Sequence, residues 1–179
     1  MMHKIIYMLL KMVAGEAFAN PLFDPKSLLK AFFWQKILRI NTHVKWPVHW
    51  SSQIKSPEKI KRGNRNPGMS MGCYIDGRNG IEIGENTWIG PKVSIISMNH
   101  DVCDYNTYVK TGPIKIGNNC WIGAGAIILP AVTIADHVIV AAGSVVNKSI
   151  TQSNVIVAGV PAAIVKEIPP YKNTTKTAT

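Results

Sequence analysis

The chain has 179 residues, 46% of them hydrophobic and 17% charged. That balance suits one folded domain plus an appendage and excludes both a disordered chain and two domains of ordinary size. The formal net charge of +10 is unevenly placed: residues 1–70 carry twelve Lys/Arg against Glu16, Asp24 and Glu58, while residues 71–179 carry eight against seven acids. The excess points to an anionic partner near the N-terminal part, such as an acidic glycan, a phospholipid surface or cofactor phosphates. No helix-turn-helix, zinc-finger or RNA-recognition pattern interleaves with the charge, so nucleic acid is not an expected partner.

At the N-terminus, "HKIIYMLLKMVAGEAFAN" has a basic start, an apolar run and an Ala17-Phe18-Ala19 resembling a processing site. The run from Ile5 to Leu10 is only six residues, short for an export signal and far short of a spanning helix. Cys73, Cys103 and Cys120 form no Cys-x-x-Cys or metal spacing, which suits reduced thiols in a cytoplasm. The expected location is therefore cytoplasmic, with possible contact at the inner face of the membrane.

Residues 4–19 and 25–40 read as helices. In the second, Asp24 is a candidate N-cap, Pro25 takes the first helical position, and Leu28, Leu29, Phe32, Phe33 and Ile37 recur at helical spacing. The stripe is expected to pack on the rest of the protein, with a basic amphipathic helix on a membrane as the sharper alternative. Residues 44–70, rich in Pro, Ser and Gly, read as irregular strands and turns, with Ile54 and Ile60 already six apart.

From Ile83 the count becomes regular. Ile83, Ile89 and Ile95 are six apart; so are Ile116, Ile122, Ile128, Ile134, Val140 and Val146. Four residues after seven of these nine comes something small or β-branched: Thr87, Val93, Cys120, Ala126, Val132, Val138 and Ser144. A period of six is neither helical nor that of a plain strand, so it means a short strand plus a bend, with three sides closing an 18-residue triangular coil. Coils stacked about 4.8 Å apart would pair their backbones and align the aliphatics in a column. This is a parallel β-helix, an all-β fold. Between Ile95 and Ile116 the count fails by an insertion, 101–115, which must project from the stack with His100 at its root.

The stretches "IGNNCWIGAGAIILPAVTIADHVIVAAGSVV" and "VIVAGVPAAIVKEI" resemble the hexapeptide-repeat acyltransferases, and most of all the sugar and polysaccharide O-acetyltransferases. The likeness covers 70–168 strongly and 44–70 more weakly; residues 1–40 match nothing in the N-terminal helices of the maltose and galactoside enzymes. The resemblance implies a left-handed β-helix, a handedness opposite to ordinary crossovers. It also implies a homotrimer with active sites in the clefts between chains. The implied division is a basic helical segment at 1–43, the β-helix domain at 44–168 with its loop at 101–115, and a flexible tail at 169–179.

The same resemblance makes His100 the general base that takes a proton from a sugar hydroxyl as it attacks the thioester of acetyl-CoA, with no acyl-enzyme. Its second nitrogen needs an acceptor: Asp101, Asp104 or a backbone carbonyl, with Asp101 preferred. Ser70 stands where relatives carry an asparagine near the acetyl group, and the Ala124 N–H would face the thioester oxygen. By register, Trp121, Ala124, Ala142, Asn147, Lys148 and Lys166 line the coenzyme path, the two lysines serving phosphate. Ala163 replaces a basic residue frequent in relatives. No metal is required, since the coil region offers only His100 and His137, too few for the triad of a γ-type carbonic anhydrase. The competing functions are an antibiotic acetyltransferase of the streptogramin type and a non-catalytic scaffold.

Overall fold

The computed structural model describes residues 2–172; the end of the tail expected at 169–179, from 173 on, lies outside the described residues. The chain winds into a three-sided parallel solenoid. Face A stacks Gln53–Lys55, Tyr74–Asp76, Ser94–Ile96, Ile127–Ile128 and Val145–Val146. Face B stacks Ile60–Lys61, Ile81–Ile83, Ile114–Ile116 and Thr133–Ile134. Face C stacks Trp88–Ile89, Trp121–Ile122, Val138–Val140 and Val155–Gly159, and Ala162–Glu167 closes it as an antiparallel last strand.

Register confirms the period of six. Ile75, Ile95, Ile128 and Val146 stand over one another on face A, and Ile83, Ile116 and Ile134 do so on face B. These columns are buried, and so are the small or β-branched residues four places on, from Thr87 to Ser144. Together they form one continuous core that begins at Val44. Ile54 and Ile60 already belong to it, a full coil before the regular count starts.

The glycines after the aliphatics act by size rather than by backbone freedom. At Gly84 an added Cβ would lie 2.7 Å from the Asn118 nitrogen and 2.7 Å from the Gly117 carbonyl carbon, so the next coil occupies the place of a side chain. Left-handed conformations at the corners fall on other residues: on Asn86, Asn119, His137 and Asn154, on Gly72, Gly125 and Gly143, and on Lys92 and Ala131.

The N-terminal segment is a helical hairpin. Helix α1 spans Met2–Ala14 and a short 3₁₀ turn follows at Glu16–Ala19. Helix α2 spans Pro25–Phe32 with Pro25 at its start, and the Asp24 carboxylate accepts the Ser27 N–H at 3.0 Å, the N-cap expected from the sequence. The second helix is shorter than 25–40, because Phe33–Ile37 widens into a π turn. That turn directs Gln35 inward, where it is buried, donates to the Trp46 carbonyl at 3.1 Å and accepts the Val48 N–H at 3.0 Å. The glutamine thus ties the hairpin to the first coil. The expected apolar stripe packs only in part: Leu28 is buried against Leu10 and Phe18, whereas Leu29, Phe33 and Ile37 stay exposed. None of the described helices is long and apolar enough to cross a membrane.

Candidate active site

The insertion leaves the solenoid at the corner between faces A and B. It is a β-hairpin, Asn99–His100 paired antiparallel with Tyr108–Val109, whose tip exposes Val102 and Tyr105. Its base is tied down by Asn79, whose amide donates to the carbonyls of Ser97 and Val109 and to the Thr111 hydroxyl, at 2.9–3.0 Å.

His100 is exposed at the root of this hairpin. Its Nδ1 meets the backbone carbonyl of Tyr105. A carbonyl only accepts, so Nδ1 carries the proton and Nε2 keeps a free lone pair. The sequence-based preference for Asp101 as the orienting group is therefore corrected. The Asp101 carboxylate turns back into the loop and accepts the N–H groups of Cys103 at 2.8 Å and Asp104 at 3.2 Å. An aspartate at the start of a turn is drawn to such nearby amides, which outcompete the imidazole. Asp104 is likewise engaged, by Asn106 and Thr107.

The ring of His100 is supported by residues that sequence reasoning missed. Tyr108 lies against it with centroids 4.6 Å apart, the Arg78 guanidinium sits 4.7 Å from the Tyr108 centroid, and Arg78 is held by the buried Asp76 at 2.7 Å. Burial pushes the Asp76 carboxyl up, but hydrogen bonds from the Arg78 side chain and backbone outweigh it, leaving the group below the usual carboxylate range. The only clue in the sequence was the Asp-x-Arg spacing on a strand that precedes the loop by a full coil.

The other candidate residues fall at two corners and on face C. Asn147 and Lys148 are exposed after the last face-A strand, at the same A–B corner as His100. Ser70, Ala124 and Ala142 belong to the corner between faces C and A. There Ser70 Oγ donates to the Ile89 carbonyl at 2.6 Å, Ala142 follows Ala124 one coil later, and Gly143 N–H donates to the Ala124 carbonyl at 2.9 Å. Among the described residues the Ala124 N–H has no acceptor, leaving it available as a donor. Trp121 lies exposed on face C in register with Trp88 and Ile139, and Lys166 stands at the outer end of that face opposite Ile156. One chain therefore carries His100, Asn147 and Lys148 at one corner and Ser70, Ala124 and Ala142 at another, with Trp121 and Lys166 on face C. It does not bring the two sets together.

Ser70 also borders a cleft of about 710 Å³ between the helical hairpin and the first coils. In that cleft His49 accepts the Ser51 N–H on Nδ1 at 3.2 Å, which leaves its proton on Nε2, and burial lowers its basicity. A second hollow of about 360 Å³ is lined by Trp88, Trp121, His137 and Tyr171. His137 hydrogen-bonds Asn154 at 2.8 Å and packs edge-on to Tyr171, a structural arrangement. Among the described residues no group of three His, Cys, Asp or Glu side chains could hold a metal ion.

Comparison with known proteins agrees with the fold. The family described as bacterial transferase hexapeptide (six repeats) matches residues 113–148. The galactoside O-acetyltransferase of Escherichia coli (strain K12) is 42% identical over 93 residues, 49% of this chain and 44% of that protein. The crystal structure of a maltose O-acetyltransferase from Clostridium difficile 630 is 30% identical and superimposes with a TM-score of 0.51 over 66% of this chain and 67% of that one. A galactoside acetyltransferase in complex with coenzyme A is 32% identical, with a TM-score of 0.56 over 66% of this chain and 63% of that one. The chain belongs to the hexapeptide-repeat transferases. It spans about half the length of the first curated relatives it matches.

The stack beneath His100 predicts a measurable dependence on Asp76. Asp76→Asn should lower stability by about 2 kcal/mol near neutral pH, less than a fully buried pair would lose because Arg78 stays partly solvated. Asp76 has a depressed folded-state pKa, so its contribution is present above the unfolded value near ~4 and is lost as pH falls through the folded value. Denaturant melts of the two proteins should therefore converge as pH drops below about 4.

Proposed function

We propose that the protein transfers an acetyl group from acetyl-CoA to a hydroxyl of a sugar, carried on a surface polysaccharide or its lipid-linked precursor. The observation that carries this reading is His100, a base with a free Nε2 on the one hairpin that interrupts the repeat. In the proposed reaction His100 Nε2 takes the proton of the sugar hydroxyl as its oxygen attacks the thioester carbonyl. The Ala124 N–H donates to the oxygen on which charge develops, and collapse expels the CoA thiolate, which recovers the proton from His100. Tyr108, Arg78 and Asp76 keep the imidazole in place, and the Tyr105 carbonyl keeps its tautomer.

Support for the coenzyme comes from the complex of a similar galactoside acetyltransferase with coenzyme A. Trp121, Ala142, Asn147, Lys148 and Lys166 would line its path, the lysines meeting phosphate. Support for a homotrimer comes from the separation of His100 from Ala124 and Ser70 on different corners: a neighbouring copy that presents its C–A corner to the A–B corner completes the site.

The proposed location is the cytoplasmic face of a membrane, supported by helix α1. Its Ile6, Tyr7, Leu10 and Ala14 pack on the hairpin, yet Ile5, Met8, Leu9, Met12 and Val13 form a second apolar stripe at helical spacing, with Met12 76% and Val13 69% exposed. Lys4 and Lys11 lie along one edge of that stripe, Lys11 in an exposed pair with Glu16 at 2.7 Å, and bring positive charge to the apolar face as on a helix lying on an anionic bilayer.

His100→Ala should reduce CoA thiol release with a panel of sugar acceptors by about 10² to 10⁴ while acetyl-CoA binding persists. Full turnover in the variant contradicts the mechanism; turnover with a streptogramin drug and no sugar moves the substrate class; absence of acetyl-CoA binding favours a scaffold. The membrane reading expects cosedimentation with phosphatidylglycerol vesicles that is lost in a Met12→Glu/Val13→Glu variant and weakened by salt. Equal binding of that variant counts against it.

A further inference from the structure

The cleft between the helical hairpin and the first coils holds several polar groups without partners. Asn66 is 5% exposed, and neither its Nδ2 nor its Oδ1 has a hydrogen-bond partner. Leaving a buried amide unpaired is costly, and natural structures seldom do so without a reason. The Arg65 Nε beside it is also buried and unpaired, and among the described residues no carboxylate bridges Arg65. The central carbon of the Arg65 guanidinium sits 3.2 Å from the Trp88 ring centroid, a contact with the ring face that leaves N–H groups for another acceptor. Opposite, Trp34 and Trp50 pack with centroids 5.5 Å apart, and Trp50 is 48% exposed. His49, stacked 5.6 Å from Trp50 between ring centroids, also lines the cleft and carries a proton on Nε2.

Each feature selects one part of a ligand. An amide that needs both a donor and an acceptor is satisfied by a hydroxyl, which supplies both. The broad χ2 torsion of Asn66 lets its amide turn to the cleft at small cost. Indole faces suit the apolar C–H face of a pyranose ring. A half-buried guanidinium with no counter-charge selects an anion, and Lys30 adds a second positive charge against the single Asp24, whose carboxylate is already spent on Ser27. A volume of about 710 Å³ suits one or two sugar rings.

We propose that this cleft binds a sugar carrying a negative charge, a uronate or a sugar phosphate, with the ring against Trp50, a hydroxyl on Asn66 and the anionic group on Arg65. The inference rests on the reading of the protein as a sugar acetyltransferase and narrows its acceptor. Ser70 on the cleft wall connects this binding place to the C–A corner.

Calorimetric titration of the whole protein with glucuronic acid, glucose 1-phosphate, glucose and inorganic phosphate tests the proposal. The charged sugars should bind about tenfold or more tighter than glucose, and inorganic phosphate should bind weaker than glucose 1-phosphate. Arg65→Gln should abolish the preference for charge. Trp50→Ala and Asn66→Leu should weaken every sugar. Thermal melts identify any variant that fails to fold, and the partly exposed Arg65 and Trp50 keep the test valid if Asn66→Leu does. Equal affinity for glucose and glucuronic acid, a preference that survives Arg65→Gln, or no binding of any sugar overturns the proposal. Acetyl-CoA titration in parallel separates the two readings: loss of sugar preference with coenzyme binding intact sinks only this inference. Failure to bind acetyl-CoA sinks acyl transfer and leaves the cleft's preference standing.

Discussion

Everything in this molecule depends on the stacking of coils about 4.8 Å apart. That spacing leaves room for one aliphatic per side inside the triangle and almost none at the corners, where the next backbone stands 2.7 Å from where a Cβ of Gly84 would be. A wall built this way is stiff, because each strand is hydrogen-bonded to the strands before and after it. Stiffness explains why the hairpin at 99–109 can hold a small set of groups in place while its tip projects into solvent.

The support of His100 shows how the wall reaches the chemistry. Asp76 is anchored on face A, one coil before the hairpin, and passes its position to Arg78, then to the Tyr108 ring, then to the imidazole. The Tyr105 carbonyl fixes which nitrogen is free. In the proposed reaction these residues would position the base and leave the proton transfer to it. On the far side of the solenoid the hairpin of helices does a different task, closing a cleft with aromatic and unpaired polar groups over the first coils.

The solenoid was legible in the sequence because a period of six has one physical meaning and nine aliphatics held it. The insertion was legible as the place where the count failed, and His100 as the residue at its root. The orientation of that histidine was not. Whether an aspartate side chain faces a neighbouring ring or its own loop depends on the turn conformation, which period and composition do not encode, and Asp101 chose the loop. Gln35 and Asn66 were invisible for a similar reason: a buried amide is recognised by what surrounds it, and its partners come from segments more than a turn away or are missing. The shortened second helix escaped because the π turn at Phe33–Ile37 keeps helical spacing nearly intact.

The central claim is that one chain carries half of each site, with His100 at the A–B corner and Trp121, Ala124 and Ser70 on the face and corner beyond. Mixing His100→Ala with Trp121→Ala, each expected to lose activity on its own, under conditions that exchange subunits, and then measuring acetyl transfer, addresses it most directly. Mixed oligomers contain some interfaces where an intact His100 from one chain meets an intact Trp121 face from another, so the account predicts that part of the wild-type rate returns on mixing. Activity that stays at the level of the separate variants, with exchange confirmed by mass, would contradict it.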